Sequence, residues 1–513
     1  MLTFFSGLEK VLDGGTACCT GHNLLNSDED LLQKEGDPFR KGLYQMRAKP
    51  ARDCYICAVM ARVREVRDPL HGAIGVEPHE LRILDHPLFQ RLRHIGQLGF
   101  SDLSFPGATH TRYLHSTGAM HLAGRAFDQI MEDPLTPTVP EARRKELRRL
   151  VRTSALLHDL GHAPFSHATE FAMPSIGALA IPAYAEQPAI YRPDQQATHE
   201  DYTIKILTDS SLTPAIEREG GPSALAVAGL VDPQLRVDSA CYEAGGLDWR
   251  PILQQLISSE LDVDRMDYLR RDSHYAGVEY GVFDLTWLLG NLAAHVVDGR
   301  VFLALQARAL YTFDDFLIAR YHMFLMVYYH YRSVAYEEML KRYFQDGGDG
   351  YQLPSDIEDY VGADDHQLVN HLRKSDNPWA RRIIERREYK LLVERHGSPD
   401  DIDLSTVSAR LASAGIPTIS TTSRGVLSKY FTKRQALEGQ ETLPLDKVGH
   451  DGAKTPPIWV LHQRYQGAAD RRATELEHST DLFERYSSQR RIGRIYVPPD
   501  QREEAGRAIE DLA

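Results

Sequence analysis

Four stretches of this chain gather side chains that bind cations or move protons. His115 lies in HTRYLHSTGAMH, His158 and Asp159 in ALLHDLGHAPFSH, His199 in THED, and Asp264 in SSELDVDRMDYLRRD. Two imidazoles and two carboxylates, from His115, His158, Asp159 and Asp264, would make a mixed nitrogen–oxygen site suited to Mn, Fe, Zn or Ni and tolerable for Mg. His162, His167 and Glu170 follow the His-Asp pair at once and His199 comes a little later, so five of the 22 histidines fall in or beside this constellation. Core packing does not call for that density, whereas general acid–base chemistry on a phosphate ester does. Taken singly, a buried histidine is usually a hydrogen-bonded core residue, and a His-Asp dipeptide is common by chance. The order His, His-Asp, Asp carries more, because its members fall on separate predicted helices.

Helical periodicity places these residues. Leu147, Val151, Ser154 and His158 recur at four, three and four residues, which sets His158 on the inward stripe of a helix that Gly161 and Pro164 then end. A carboxylate at such a buried helix end needs a cation. His115 opens another predicted helix, with Ala119, Leu122 and Ala126 on its inward side. Asp264, Tyr268 and Asp272 share one face of a third, and Arg320, Phe324 and Tyr328 form a stripe on a fourth. The pattern reads as mostly helical from about residue 63 to 344 and helical again over 355–400. Residues 171–198 read as a loop or short-helix insertion that covers the site. The runs PPIWVLHQ and RIGRIYVPP are β-like, and REEAGRAIEDLA closes the chain as a helix. The expected fold is mainly α. It comprises an N-terminal extension over 1–62, a helical domain over 63–400 and a small mixed α/β module over 401–513. The basic run EARRKELRRLVR is expected to be the solvated face of a helix whose Leu147, Leu150 and Val151 point inward.

Composition narrows the class. The 59 basic and 72 acidic residues give a net charge of −13, which does not favour a nucleic-acid coat but leaves room for a local basic pocket. No stretch approaches the length of apolar sequence a membrane helix needs, and the N-terminus lacks signal-peptide character, so a cytoplasmic protein with no membrane partner is expected. Five cysteines make no disulfide framework. Cys54 and Cys57 form a CxxC without a well-spaced second pair, Cys18 and Cys19 being adjacent, so small apolar residues in a reduced compartment are expected there, not a zinc site.

The stretches RDPLHGAIGVEPHELRILDHPLFQRLRHIGQLG, FPGATHTRYLHSTG, LLHDLGHAPFSHATE, THED and ELDVDRMDYLRRDSHYAGV resemble the HD-domain superfamily. More narrowly they resemble its deoxynucleoside triphosphate triphosphohydrolase (dNTPase) branch, which has bacterial members and the vertebrate SAM-and-HD-domain restriction factor. The ordered match runs from about residue 64 to 336. The resemblance implies His115, His158, Asp159 and Asp264 as ligands of one divalent metal, with a second Mg accompanying the triphosphate. It implies His167 as proton donor to the leaving oxygen, His162 as a phosphate contact, and His199 with Glu170 as a supporting pair. The vertebrate relative has Asp in place of Glu170. It further implies phosphate contacts from Arg112, Arg265, Tyr268 and Arg320. Gln97 and Leu98 would meet sugar and base, Asp272 the 3′ hydroxyl, and Tyr328 would pack under the sugar. Arg265 stands where the relative has Lys, which keeps the charge and changes donor geometry. Phe324 stands where it has His, which removes one polar contact. Arg64, Asp85, Gln90 and Arg93 match a regulatory guanine-nucleotide site, which implies activation by such a nucleotide and a homo-oligomer, dimer or tetramer.

The expected function is metal-dependent hydrolysis of deoxynucleoside triphosphates (dNTPs) to deoxynucleoside and inorganic triphosphate. Two other classes compete with it. One is a different HD-type phosphodiesterase, nucleotidase or single-strand nuclease, which product analysis separates. The other is a non-catalytic nucleotide-sensing regulator, which would bind dNTPs without releasing triphosphate.

Overall fold

The computed structural model describes residues 64–512 except 186, 188–190, 219, 398–402, 426–456, 464–470 and 481–489. The four N-terminal cysteines and the extension over 1–62 lie outside the described residues. Strands β1 (Arg64–Asp68) and β2 (Gly72–Val76) pair as a two-stranded sheet. Helix α1 (Pro78–Leu84) begins with a capping box in which Glu77 and Glu80 exchange side-chain and backbone contacts. The helices that frame the site follow: α2 (Arg112–Glu132), α3 (Glu141–Leu157), α4 (His199–Thr208), α5 (Ala224–Val231), α6 (Arg250–Ile257) and α7 (Val263–Ala276).

Helices α2 and α3 pack along each other through the inward residues their periodicity predicts. Ala119, Leu122, Ala126, Leu147, Val151 and Ser154 are all buried. The helix α3 stops at Leu157 with His158 as its C-cap. The basic run is not simply a solvated face. Arg152 is buried and donates to both carboxylate oxygens of the fully buried Glu80 at 2.6 and 2.7 Å. Arg148 pairs with Asp128 and Glu77. Removing one partner from a buried pair such as Arg152–Glu80 costs about 3–5 kcal/mol, because the other charge is left unpaired. The run reads as polar in sequence because charge compensation comes from α1, about 70 residues earlier.

Besides β1 and β2, further stretches within the spans expected to be helical are strands. Residues 292–306 form a hairpin, β3 (Leu292–Val297) and β4 (Arg300–Gln306), antiparallel with Leu292 opposite Leu305. Both strands are buried at their apolar centres, so they lack the alternation that marks a half-exposed strand. After α8 (Leu310–Met323), α9 (Tyr331–Gln345) and α10 (Asp365–Lys374) comes β5 (Lys390–Gly397), which the helical reading of 355–400 had absorbed. β6 (Ile419–Gly425), β7 (Trp459–Gln463), β8 (Arg471–Glu475) and β9 (Arg490–Val497) follow. β9 lies between β5 and β6, antiparallel to both. Ile495 and Val497 of β9 pack on Val407 and Leu411 of the helix α11 (Ser405–Ser413), on Ala505 of α12 (Arg502–Ala508) and on Ile509, which caps α12. β7 and β8 instead extend the sheet of β4, with Ala304 opposite Trp459. Glu65–Ala513 form one compact unit, mainly helical with small sheets. No helix among the described residues is long and apolar enough to cross a membrane.

Candidate metal and acid–base site

The four expected metal ligands converge. His115 rises from the first turn of α2, His158 caps α3, Asp159 follows it, and Asp264 sits in the first turn of α7. His115 Nε2 is 3.0 Å from Asp264 Oδ1 and 3.7 Å from Asp159 Oδ2, while His158 Nε2 is 3.3 Å from Asp159 Oδ1 and 3.6 Å from Asp264 Oδ1. Hydrogen bonding at the far side of each ring fixes its tautomer. His115 Nδ1 donates to Asp267 at 2.9 Å, and His158 Nδ1 donates to the Ala155 carbonyl at 2.8 Å. Each Nε2 is therefore left with a lone pair, and both are buried without a hydrogen-bond partner. Buried polar atoms without partners are rare in native proteins. Two such lone pairs facing two carboxylates fit a divalent cation, as the donor chemistry requires.

Burial disfavours a charge on His115, yet the adjacent carboxylates of Asp264 and Asp267 outweigh it and push its pKa up to about 10. Asp159 is likewise opposed by burial, but the neighbouring His158, Arg112 and His162 hold it well below the usual carboxylate range. The first shift reports the carboxylates around His115, and the second keeps Asp159 ionised, as a metal ligand must be.

Beside it stands the acid–base group. Glu170 Oε1 accepts from His199 Nδ1 at 2.6 Å and from His167 Nδ1 at 3.1 Å. The ring of His162 stacks on that of His199 at 4.0 Å and meets that of His167 edge-on at 4.9 Å. His162 Nε2 is 3.3 Å from Asp159 Oδ1, which joins this group to the ligand cluster. Burial lowers the basicity of His199, but Glu200 and Glu170 more than compensate and raise its pKa to about 9. The Thr198–Asp201 capping box starts α4 at His199 and so fixes where that ring points.

The residues matched to substrate contacts surround this centre unevenly. Arg112 donates to Ser166 Oγ at 3.0 Å and pairs with Asp159. Arg265 pairs with Asp262, and Arg320 Nη1 lies 3.1 Å from Glu260 Oε2, so each guanidinium has a carboxylate of its own. Asp272 accepts from Tyr328 Oη at 2.7 Å, and its other oxygen is 2.7 Å from His110 Nε2. Tyr268 lies edge-on to Tyr328 at 6.2 Å and to His115 at 6.4 Å. Gln97 and Leu98 occupy a half-buried loop that is joined through the Gln97 amide to the His110 carbonyl at 3.0 Å. Arg320, Phe324 and Tyr328 do not continue one α-helical stripe. The chain passes into a π-helical turn at Phe324–Tyr328, where the Tyr329 amide bonds to the Phe324 carbonyl at 2.8 Å. Such turns shift the phase of a helix and cluster at functional sites.

The residues matched to a regulatory site lie elsewhere on the fold. Asp85 is exposed at the end of α1, Gln90 accepts from Arg93 Nε at 2.8 Å, and the Arg93 guanidinium lies 3.6 Å above the Tyr113 ring. Arg64 is an exposed residue at the start of β1.

Sequence reasoning missed the layer behind the ligands. Asp267 accepts from His115, from Arg271 Nε and Nη2 at 2.8 and 2.9 Å, and pairs with His71 Nε2 at 2.6 Å. Asp68 in turn accepts from Arg271 Nη1 at 2.8 Å. Burial opposes the Asp267 charge, but Arg271, His115 and His71 hold its pKa well below the ordinary value. Gly118, one turn after His115, makes room for it. A Cβ there would stand 2.0 Å from Asp267 Oδ1 and 2.4 Å from Arg271 Nη2. The available signal was Asp267 and Arg271 four residues apart on one helix, an ion-pair spacing. Asp68 and His71 lie some 200 residues away, with no local mark.

With this geometry established, comparison with known proteins places the chain. The HD domain family matches residues 112–272, which span all four clustered ligands. The chain carries an HD domain. An HD associated region matches residues 284–408. The chain is 30% identical over 331 residues to an uncharacterized protein of Methanocaldococcus jannaschii, covering 64% of this chain and 60% of that protein. It is 26% identical over 462 residues to the uncharacterized protein YwfO of Bacillus subtilis, covering 85% and 92%. It is 27% identical over 364 residues to human deoxynucleoside triphosphate triphosphohydrolase SAMHD1, covering 65% of this chain and 55% of the human protein. The match thus spans less than two thirds of the archaeal and human relatives' own length. The fold also recurs in solved structures. A hypothetical protein from Aquifex aeolicus superposes with a TM-score of 0.62 at 24% identity, covering 87% of this chain and all of that one. A phosphohydrolase from Bacteroides thetaiotaomicron gives 0.58 at 22%, covering 85% and 100%. The HD domain is thus shown over the residues that carry the site, and over part of their length the chain resembles relatives named deoxynucleoside triphosphate triphosphohydrolases.

Proposed function

We propose that this HD protein hydrolyses dNTPs to deoxynucleoside and inorganic triphosphate. The observation that carries the reading is the pair of buried, partnerless Nε2 atoms of His115 and His158 facing Asp159 and Asp264, with the His167–Glu170–His199 group alongside. A divalent ion held by those four residues would supply Lewis acidity toward a phosphoryl oxygen and make water a better nucleophile near neutrality. In the proposed reaction, water adds to the α-phosphorus and the bond to the 5′ oxygen breaks. His167 is partly exposed and hydrogen-bonded through Nδ1 to Glu170, which holds its ring so that Nε2 can serve the leaving oxygen. His162, against Asp159, would meet a phosphoryl oxygen. Arg112 both orients Asp159 and offers positive charge where charge grows. Tyr328 and Asp272, already hydrogen-bonded to each other, form the side on which a deoxyribose would rest.

Support for dNTPs comes from the human and Dictyostelium discoideum relatives, both named deoxynucleoside triphosphate triphosphohydrolases, although each match covers only part of those proteins. Activation by a guanine nucleotide through Arg64, Asp85, Gln90 and Arg93, and assembly into a homo-oligomer, belong to the same proposal. A second reading, a nucleotidase acting on fewer phosphates, is favoured by the carboxylates paired with Arg265 and Arg320, which reduce the positive charge available to a triphosphate. One experiment decides between them. The protein is incubated with each dNTP, each ribonucleotide and each deoxynucleoside monophosphate, with Mn or Mg and with or without GTP. Release of inorganic triphosphate from dNTPs supports the first reading, and release of orthophosphate from monophosphates alone replaces it with the second.

A further inference from the structure

The loop that carries His162 and His167 is held from outside the HD domain. Phe165 and Ser166 are consecutive non-glycine residues with left-handed backbone, φ 55° and 57°. Such conformations persist where surrounding structure over-determines them. Here the surrounding structure is the segment 360–365, which belongs to the HD associated region. Tyr360 Oη donates to the Gly161 carbonyl at 2.9 Å. The buried Arg91 bridges the two segments, donating to the Ala363 carbonyl at 2.8 Å and to the Leu160 and His162 carbonyls at 2.9 and 2.8 Å. Asp365, the first residue of α10, accepts from the Phe165 amide at 2.7 Å with one oxygen and from the Gly96 amide at 2.8 Å with the other. A single carboxylate thereby ties together two loops. One leads to His167, and the other to Gln97 and Leu98. Gly96 lies close against it, since a Cβ there would be 3.3 Å from Asp365 Oδ2. The tie extends inward, because Ser166 Oγ is 3.0 Å from Arg112 Nε and Arg112 is the partner of Asp159.

We propose that Asp365 is a positioning residue of the active site, one that fixes the left-handed turn at Phe165–Ser166 and so sets His167 relative to the metal ligands and to the Gln97–Leu98 loop. This rests on the reading of His167 as proton donor, but its structural half can be tested without it. Two short amide-to-carboxylate bonds are charge-assisted and directional, which suits a clamp on backbone. An asparagine in place of the aspartate keeps the shape and one acceptor oxygen but turns an NH₂ toward the other backbone N–H.

The test uses the full chain with Asp365→Asn and Asp365→Ala, and with Asn370→Ala on the exposed side of the same helix as control. Hydrogen exchange is followed over residues 95–98 and 163–168, together with bound Mn, circular dichroism, and kcat and KM for dNTP hydrolysis. The clamp predicts faster exchange in both segments for both Asp365 variants, with Mn content and helical signal as in the parent. It also predicts a kcat lower by about tenfold or more, with a smaller change in KM, and parent-like behaviour for Asn370→Ala. Unchanged exchange in either segment overturns the proposal, as does a fall in kcat without it or a global loss of helix in Asp365→Asn. If the parent shows no dNTP turnover, the substrate reading fails, and the exchange result alone decides whether Asp365 is the clamp.

Discussion

Two charged regions sit side by side in this protein and are finished differently. Around His115 and His158 the polar groups are incomplete, with two buried lone pairs that have no partner and carboxylates drawn toward them. Around Arg265 and Arg320 the charges are balanced, each guanidinium paired with Asp262 or Glu260 within the same fold. Charge can be buried only when it is compensated. The contrast teaches where to look for a bound group. Two bare lone pairs that face two carboxylates fit a resident ion, whereas arginines already paired with internal carboxylates fit a charged ligand that comes and goes. A phosphate chain would then share those arginines with Glu260 and Asp262 and would not meet bare positive charge.

The largest test breaks the incomplete side. Asp159→Ala should remove the bound metal and lower hydrolysis by about 10³-fold or more, with metal content read by elemental analysis. Full activity in metal-stripped Asp159→Ala would end the metal assignment. Next, Asp267→Ala leaves all four ligands in place but frees the His115 tautomer. Metal affinity should fall by about 10–100-fold, measured by calorimetric titration of Mn or Co into apoprotein. Gly118→Ala should reproduce part of that loss without touching either ring, because its Cβ would displace Asp267. Wild-type affinity in both variants would show that the layer behind the ligands does not matter.

Smaller effects sharpen the contrast. Burial opposes a charge on His199, but Glu200 and Glu170 favour its charged form and push its pKa up to about 9, above free imidazole. Glu170→Gln removes one of those carboxylates, so the pKa should move down, by about one pH unit or more. Ring-proton NMR across pH 6–10 reads the shift, and an unmoved or raised value would contradict the pairing. On the balanced side, Glu260→Gln removes a carboxylate charge next to Arg320. Inorganic triphosphate should then bind more tightly, by about two- to tenfold at low salt, an advantage that shrinks as salt rises. Weaker binding would mean that Glu260 orients Arg320 and does not compete for it.

How much of this was legible beforehand varies with the range of the interaction. Helix α3 could be read from Leu147, Val151 and Ser154, because a buried helical face repeats locally. The β3–β4 hairpin could not, because strands buried on both faces show an unbroken apolar run instead of an alternation. Arg152 reads as solvated in its own run and is buried because Glu80 meets it from another helix. The spacing of Arg320, Phe324 and Tyr328 suggested one stripe, and a π turn interrupts it.

The sequence by itself determined the inventory of the chemistry: which imidazoles and carboxylates exist, on which helices they ride, and in what order. These depend on residue type and on periodicities of a few residues, which neighbouring side chains enforce. Only the tertiary structure decided which lone pairs were left bare, that Asp267 and Asp68 stand behind His115, that Arg265 and Arg320 are already paired, and that Asp365 reaches back some 200 residues to the Phe165 turn. Those facts depend on which partner satisfies each buried charge. That partner is chosen by contact in space, and nothing in the spacing along the chain records it.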